Sequence, residues 1–579
     1  MLFSLSWDYL STRWREVVIV VVLQVAATLA ALELPTLNAR IIDEGVALAN
    51  TATIWQLGLV MLLLTVAQGI ATAIAVYLGA RMAMGLGAWL RHKTFIHVQQ
   101  FAAQDMHDFG APSLITRTTN DVQQVQMVVV MAFAIMVQAP IMGIGALVQA
   151  FRQDVSLSVL LWIMVPVLVV AVAIMMRLMA PQFSRQQKRI DAMNTVLREE
   201  LTGIRVIRAF VRQPFIASRY GDANDALREV AMRIGGLFAV LFPLVTLIIS
   251  VTNVAVVWVG GHLIDTGQSQ VGSLFAFLSY VGMLMGAVMM SAMIIIMVPR
   301  ADIAAGRIRE VLTHEVAIRP PREPQTVEGE RWTFTLTDVA VQYAGAEHAV
   351  LENIDLTLQA GTRTALIGAT GSGKTTLAQL FPRLLDPSSG TIAANGVALS
   401  DIDLAQLRRR IAFVPQKAHL FSGTIASTVS GVDTPNDAER ARVEWALQGA
   451  CAQEFVSRLS DGIDAVVEPG GKNFSGGQRQ RLSIARALYR QADLYIFDDS
   501  SSALDHATDA QLRANLAAYT AGAAVLLIAQ RVASVKDADV IIVIDGGRIV
   551  GRGTHDDLLK ECLTYQEIVA SQMSQEVEQ

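Results

Sequence analysis

Three stretches of the sequence carry residue types suited to phosphate and metal chemistry. The run Gly368-Ala369-Thr370-Gly371-Ser372-Gly373-Lys374-Thr375 matches G-x-x-x-x-G-K-[ST] and follows the apolar segment Thr364-Ala365-Leu366-Ile367. In such a loop the glycines let backbone N–H groups wrap a polyphosphate, and the next helix adds its dipole. Lys374 would reach the β- and γ-phosphates, and the Thr375 hydroxyl, followed by Thr376, would meet Mg2+. A second run, Leu494-Tyr495-Ile496-Phe497, closes on two adjacent carboxylates, Asp498 and Asp499. In the third, Phe474-Ser475-Gly476-Gly477-Gln478, a small hydroxyl and two glycines open a helix and form another anion-binding N-terminus. Together these imply ATP with Mg2+.

The elements that must hold these residues fall into two halves. From Trp332 onward, β-branched runs alternate with helical patterns, which predicts a parallel α/β sheet. Upstream, Arg319-Pro320-Pro321-Arg322-Glu323-Pro324 reads as an extended linker after a helical stretch ending near Thr313. The 53% hydrophobic content and mean hydropathy of +0.43 are too apolar for an ordinary soluble chain of 579 residues. Apolar stretches of bilayer-spanning length lie near 17–34, 57–78, 127–150, 157–176, 237–264 and 274–298, so six spans are predicted. Pro35 is expected to close the first of them.

Loops after the second and fourth spans are long and helical in character. They carry Arg81, Arg91, Lys93 and Arg117, then Arg185, Lys188, Arg189, Arg198, Arg205, Arg208 and Arg212, which places them and the N-terminus in the cytoplasm. A net charge of −5 without a basic block argues against nucleic acid as a partner. Cys451 and Cys562 lack metal-site spacing. Glu33, Gln24, Gln68, Gln138, Asn253 and His262 are the polar residues of the spans. Met283, Met285, Met289, Met290, Met293 and Met297 in the last span read first as packing and lipid-facing material.

With the phosphate loop, the Phe474 to Gln478 run resembles the signature sequence of ABC transporters, and the spans with long helical extensions resemble an ABC exporter half-transporter. The fold class implied is a polytopic α-helical membrane domain of six transmembrane helices with long cytoplasmic extensions, fused to an α/β P-loop ABC ATPase domain. The boundaries expected are a transmembrane domain at 1–318, a linker at 319–331 and a nucleotide-binding domain at 332–579. Coupling helices are expected near 108–120 and 202–212. The resemblance assigns Tyr343 to adenine stacking and Gln416, in Val414-Pro415-Gln416, to the loop between metal and coupling helices. It assigns Asp498 to magnesium, Ser502-Ala503-Leu504-Asp505 to the D-loop, and Ser475 to Gln478 to the γ-phosphate held by an opposite subunit.

Two positions depart from the family. Asp499 stands where the catalytic residue is usually Glu, and Gln530, in Ile528-Ala529-Gln530-Arg531, stands where the switch residue is His. An amide hydrogen-bonds but cannot carry positive charge. Gly470-Gly471-Lys472 also departs from the Glu-Arg-Gly common in homodimeric exporters. A degenerate phosphate-loop face with an intact signature resembles one subunit of a heterodimeric exporter of the cytoplasmic membrane. Its partner would bring the missing Glu and His, and hydrophobic or amphiphilic compounds, such as multidrug-type substrates or lipids, would be the cargo. The alternatives are a slow homodimeric exporter, a siderophore or lipid transporter of the same shape, and a non-transporting ATP sensor.

Overall fold

A computed structural model describes the backbone of residues 1–343, 345–500 and 504–577. The chain forms two compact units, one of Met1–Gln99 with Gly110–His314, the other of Gln100–Phe109 with Glu315–Gln579. Ser502 and Ala503 of the expected D-loop lie outside the described residues.

The first unit holds six helical segments long and apolar enough to cross a membrane: α1 (Leu2–Val46), α2 (Thr51–Val98), α3 (Ala111–Gln153), α4 (Val155–Ala209), α5 (Gln213–Asp265) and α6 (Val271–Thr313). Side-chain caps start two of them. Asn50 accepts from the Thr53 N–H ahead of α2, and Asp154 Oδ1 accepts from Ser156 and Leu157 at 2.9 and 3.1 Å ahead of α4. At 1.5 Å per residue, 48-residue α2 is about 70 Å long, more than twice a bilayer's hydrocarbon thickness. The helical loops expected after the second and fourth spans are therefore largely continuations of the spans, the first of them broken between Val98 and Ala111. Only three residues, Phe210–Arg212, part α4 from α5.

The structure corrects the expectation that Pro35 ends the first span, because the helix runs through it to Arg40 and ends in a π turn, Ile41–Val46. A proline removes the helical bond to the carbonyl four residues back, here that of Ala31, yet the span continues past it. The buried Tyr280 hydroxyl donates to Leu32 O at 2.9 Å and shares a 2.7 Å bond with Thr36 Oγ1. α3 is tied to α6 by charge. Arg307 Nη2 donates to the buried Asp121 at 2.6 Å, while Arg117 Nη1 donates to Arg307 O and Glu310 at 2.9 and 2.7 Å.

The second unit begins with the short helix Ala103–Phe109 and, after residues from Glu315 that form neither helix nor strand, builds twelve strands among the described residues. An antiparallel sheet has the order β2-β1-β4-β5, formed by β1 (Phe334–Val341), β2 (Leu351–Leu358), β4 (Ser389–Ala394) and β5 (Val397–Ala398). A second sheet has the order β12-β11-β3-β10-β9-β6. It comprises β3 (Arg363–Ile367), β6 (Ile411–Val414), β9 (Leu494–Asp498), β10 (Ala524–Ile528), β11 (Val540–Asp545) and β12 (Arg548–Gly553). All neighbours in it are parallel except β12 against β11. The remaining pair, β7 (Gly423–Thr424) and β8 (Val466–Val467), stands apart.

Strand β9 shows why this sheet sits inside. Its side chains alternate, so Leu494 and Ile496 enter a core with Trp332, Phe334 and Phe381, while Tyr495 and Phe497 enter a second core with Leu482, Leu488 and Phe474. The sheet is thus covered on both faces. Just ahead of β9 the buried Asp493 accepts from Arg331 at 3.2 Å and from Arg410 at 2.9 Å. Both arginines keep contact with water, which limits what the triad contributes. Asp493→Ala is expected to destabilise the second unit by about 1–3 kcal/mol, read as a drop of several degrees in the thermal midpoint of the purified chain.

Candidate functional site

The residues singled out in the sequence meet at one edge of the parallel sheet. β10 lies between β3 and β9, with Ile528 in register with Leu366 on one side and Asp498 on the other, and β6 flanks β9. The chain leaves these four strands at their C-terminal ends, so the phosphate loop, the 529–531 turn, the two carboxylates and Gln416 emerge side by side. Ligands of parallel α/β sheets gather at such an edge.

From β3 the loop turns through Gly368 to Gly373 into α7 (Lys374–Leu380). Gly373 has φ +98°, and a Cβ on it would lie 2.6 Å from Leu351 Cδ2 and 2.9 Å from Val350 O, so no larger residue fits. Lys374 is buried and spans its own loop, donating to Gly368 O, Ala369 O and Ser372 Oγ at 3.0, 2.6 and 3.2 Å. Thr375 Oγ1 donates to Asp498 Oδ1 at 3.2 Å.

Asp499 is the geometric exception. Its φ is +46°, its N–H donates to Ile528 O at 2.9 Å, and Oδ2 accepts from two amides. Gln416 Nε2 approaches to 3.2 Å and Gln530 Nε2 to 3.0 Å. The two departures noted in the sequence are therefore bonded to each other. Left-handed backbone at a non-glycine residue is locally strained, and such residues gather at functional sites.

A cavity of about 290 Å³ opens here, lined by Thr370, Gly371, Gly373, Lys374, Thr375, Thr376, Gln416, Asp498, Asp499 and Gln530, with Val350 and Ile528 as apolar wall. Val350 and Ile528 carry no chemical mark in sequence and are found only through the fold. Gly368, Ala369 and Ser372 stand behind this lining as partners of Lys374. Tyr343 is half exposed at the rim, its hydroxyl 3.2 Å from Thr376 Oγ1.

The expected signature residues do not line this cavity. They open α8 (Gly476–Tyr489), where Ser475 and Gln478 form a reciprocal cap: Ser475 N donates to Gln478 Oε1 at 2.9 Å and Gln478 N to Ser475 Oγ at 3.3 Å. Gly476 and Gly477 follow in the first turn. Phe474 is buried against Phe455 with ring centroids 6.3 Å apart. Gly470 and Gly471, at φ +74° and +65°, form a consecutive left-handed pair, which gives a local reason for two glycines at that departure. Asp505 caps the helix His506–Tyr519, accepting from Thr508 N and Oγ1 at 2.9 and 2.8 Å, and these bonds hold its carboxyl below the usual range.

The family description "ABC transporter transmembrane region" matches residues 17–288 and "ABC transporter" matches 351–502. An uncharacterized ABC transporter ATP-binding protein of Mycobacterium tuberculosis is 42% identical over 574 residues, covering 99% of this chain and 98% of that protein. The chain belongs to the ABC transporter family. An ATP-dependent lipid A-core flippase of Ralstonia nicotianae is 29% identical, covering 96% of this chain and 94% of its own length. A bacterial Atm1-family ABC exporter solved with ATP bound superposes with TM-score 0.80 at 22% identity, over 96% of this chain and 98% of that one, which gives the fold. This ABC half-transporter is accordingly a multi-pass membrane protein of exporter fold with a cytoplasmic ATPase domain.

Electrostatics in the transporter's cavity are set by burial. Burial raises the Asp498 carboxyl above its usual range, the neighbouring Asp499 adds to the rise, and Thr375 and Lys374 oppose it. Asp499 is likewise raised by burial, against the bonds from Gln416 and Gln530 and the charges of Lys374 and Arg531. Lys374 is lowered by burial despite both carboxylates. For carboxyls raised in the folded state, stability is fullest at low pH and declines as pH rises through their folded-state values. At neutral pH the uncomplexed pair is thus a liability that a cation relieves. Asp498→Asn is expected to raise the thermal midpoint of the nucleotide-free transporter by a few degrees. The same change should weaken Mg-dependent ATP binding at least about tenfold, as measured by ATP titration with and without Mg2+.

Proposed function

We propose that this chain is one subunit of a heterodimeric ABC exporter whose own nucleotide site binds MgATP and turns it over slowly. The observation that carries the reading is the Asp499 carboxylate, held by two neutral amides at the place where water would be activated. The donor set suits the ion: the Thr375 hydroxyl, the Asp498 carboxylate and the Gln416 amide oxygen are hard oxygen ligands of the kind Mg2+ takes beside phosphates. The ion would neutralise charge on the phosphates. Gly371 to Thr376 and Lys374 bind and orient the nucleotide, and Tyr343 at the rim offers a ring to the base.

Two effects on Asp499 pull in opposite directions. Its raised pKa favours proton acceptance, but geometry comes before pKa for a general base. One methylene fewer than Glu retracts the carboxylate by about 1 Å, and a misplacement of that size can lower rate on the order of 100-fold. Gln530 supplies a neutral donor where an imidazole could carry charge. Position outweighs basicity.

The signature helix start at Ser475 to Gln478, capped and outside this cavity, would complete a site holding the partner's ATP, together with Asp505 of the D-loop. Closure of the two ATPase domains on ATP would act on the membrane helices through the stretches near 108–120 and 202–212. Hydrolysis at the partner-held site would reset them. A hydrophobic or amphiphilic cargo is supported by the apolar membrane unit. It is supported also by an open groove of about 470 Å³ lined by Asn253, Val254, Val257, Trp258 and Leu278, where Asn253 Oδ1 is buried without a partner among the described residues. The relative named for lipid A-core flipping favours a lipid within that class.

The purified chain alone is expected to hydrolyse ATP at least about tenfold more slowly than the pair formed with a half-transporter bearing the Glu and His. In the isolated chain, Asp499→Glu with Gln530→His should raise turnover by about 10- to 100-fold. Equal rates for the chain alone and the pair would sink the heterodimer reading.

A further inference from the structure

The segment carrying Gln530 is gripped from behind by the C-terminal helix. On α10 (Leu563–Val577), Gln572 meets that segment with both ends of its amide: Nε2 donates to Gln530 O at 2.7 Å and Oε1 accepts from Val532 N at 2.8 Å. Neither target has another hydrogen-bond partner among the described residues. β10 ends at Ile528, so the Gln530 carbonyl lies past the last ladder pair. The short helix α9 (Val532–Val535) follows Arg531, which gives no side-chain cap, so Val532 N–H is one of the donors a helix start leaves unmet. One orientation of the Gln572 amide satisfies both, and both lengths are those of good hydrogen bonds.

The Gln530 side chain leaves the same backbone in the other direction, to Asp499 Oδ2 at 3.0 Å. A peptide fixed on its carbonyl and again two residues later has little freedom to redirect the side chain between. We propose that Gln572 is a positioning residue of the nucleotide site. It clips the 530–532 backbone so that the Gln530 amide stays on Asp499 over the cavity, and so prolongs the residence of nucleotide bound there. Gln572 itself does not line the cavity and acts through Gln530. The inference rests on the reading of this site as one that retains its nucleotide.

The test uses the full-length chain in lipid nanodiscs, loaded with a fluorescent, non-hydrolysable ATP analogue and Mg2+, and follows release after a chase of unlabelled ATP. Gln572→Ala is expected to speed release about fivefold, the scale of one net hydrogen bond. Gln530→Ala should give a similar factor, and the double variant should be no faster than either, because both remove the same contact. Gln572→Glu keeps the acceptor for Val532 and loses the donor to Gln530, so it should release at least as fast as the alanine variant. Unchanged release in Gln572→Ala with a lowered thermal midpoint, or single factors that multiply in the double variant, would overturn the proposal. Phosphate release from ATP by the wild-type chain is measured separately. Rapid release there would overturn the slow-turnover reading, while the non-additivity with the non-hydrolysable analogue would still decide the clip.

Discussion

The register of β10 is the constraint on which the nucleotide site depends. Four parallel strands in the order β3-β10-β9-β6 bring segments separated by up to 160 or so positions in sequence to one edge, and pairing at Ile528 sets Leu366 and Asp498 level with each other. A parallel ladder slipped by one residue would reverse every side chain on the strand. The alternation of β9 forbids that slip, since Leu494 and Ile496 belong to one core and Tyr495 and Phe497 to the other. Burial of four apolar side chains thereby fixes where two carboxylates end.

Much of the site was legible because its chemistry is local. The phosphate loop, its flanking strand and helix, and the signature cap are contiguous runs whose backbone demands, glycine at φ +98° or a hydroxyl at a helix start, show in residue type. The bond between Gln530 and Asp499 was not legible, although both residues were noted, because it exists only through the β9–β10 register. Gln572 carried no mark at all: a glutamine near a helical end looks like solvent-facing polarity until its partners are in place.

In the membrane unit, hydropathy found the number of spans and understated their length. A hydropathy window reports the lipid-embedded part of a helix and is blind to the amphipathic remainder, so α4 reads as a span near 157–176 and extends over 55 residues. Pro35 misled for a different reason. Its local penalty is real, yet the helix continues to Arg40, because the packing of a membrane span against its neighbours can outweigh one lost backbone bond, which no local rule registers.

The ion triad at Asp493 also bears on how the second unit carries load. Arg331 lies at the end of the extended linker, immediately before Trp332, and Asp493 immediately precedes β9, whose far end is Asp498. Tension arriving along the linker would therefore pull first on a charge pair at the root of the strand that ends at Asp498, before it reaches the outer antiparallel sheet. With Arg410 on the other carboxylate oxygen, the root of β6 shares that pull, and β6 leads to Gln416. Force entering there would be divided between two neighbouring strands, β9 and β6, before it reaches the ends that open on the cavity.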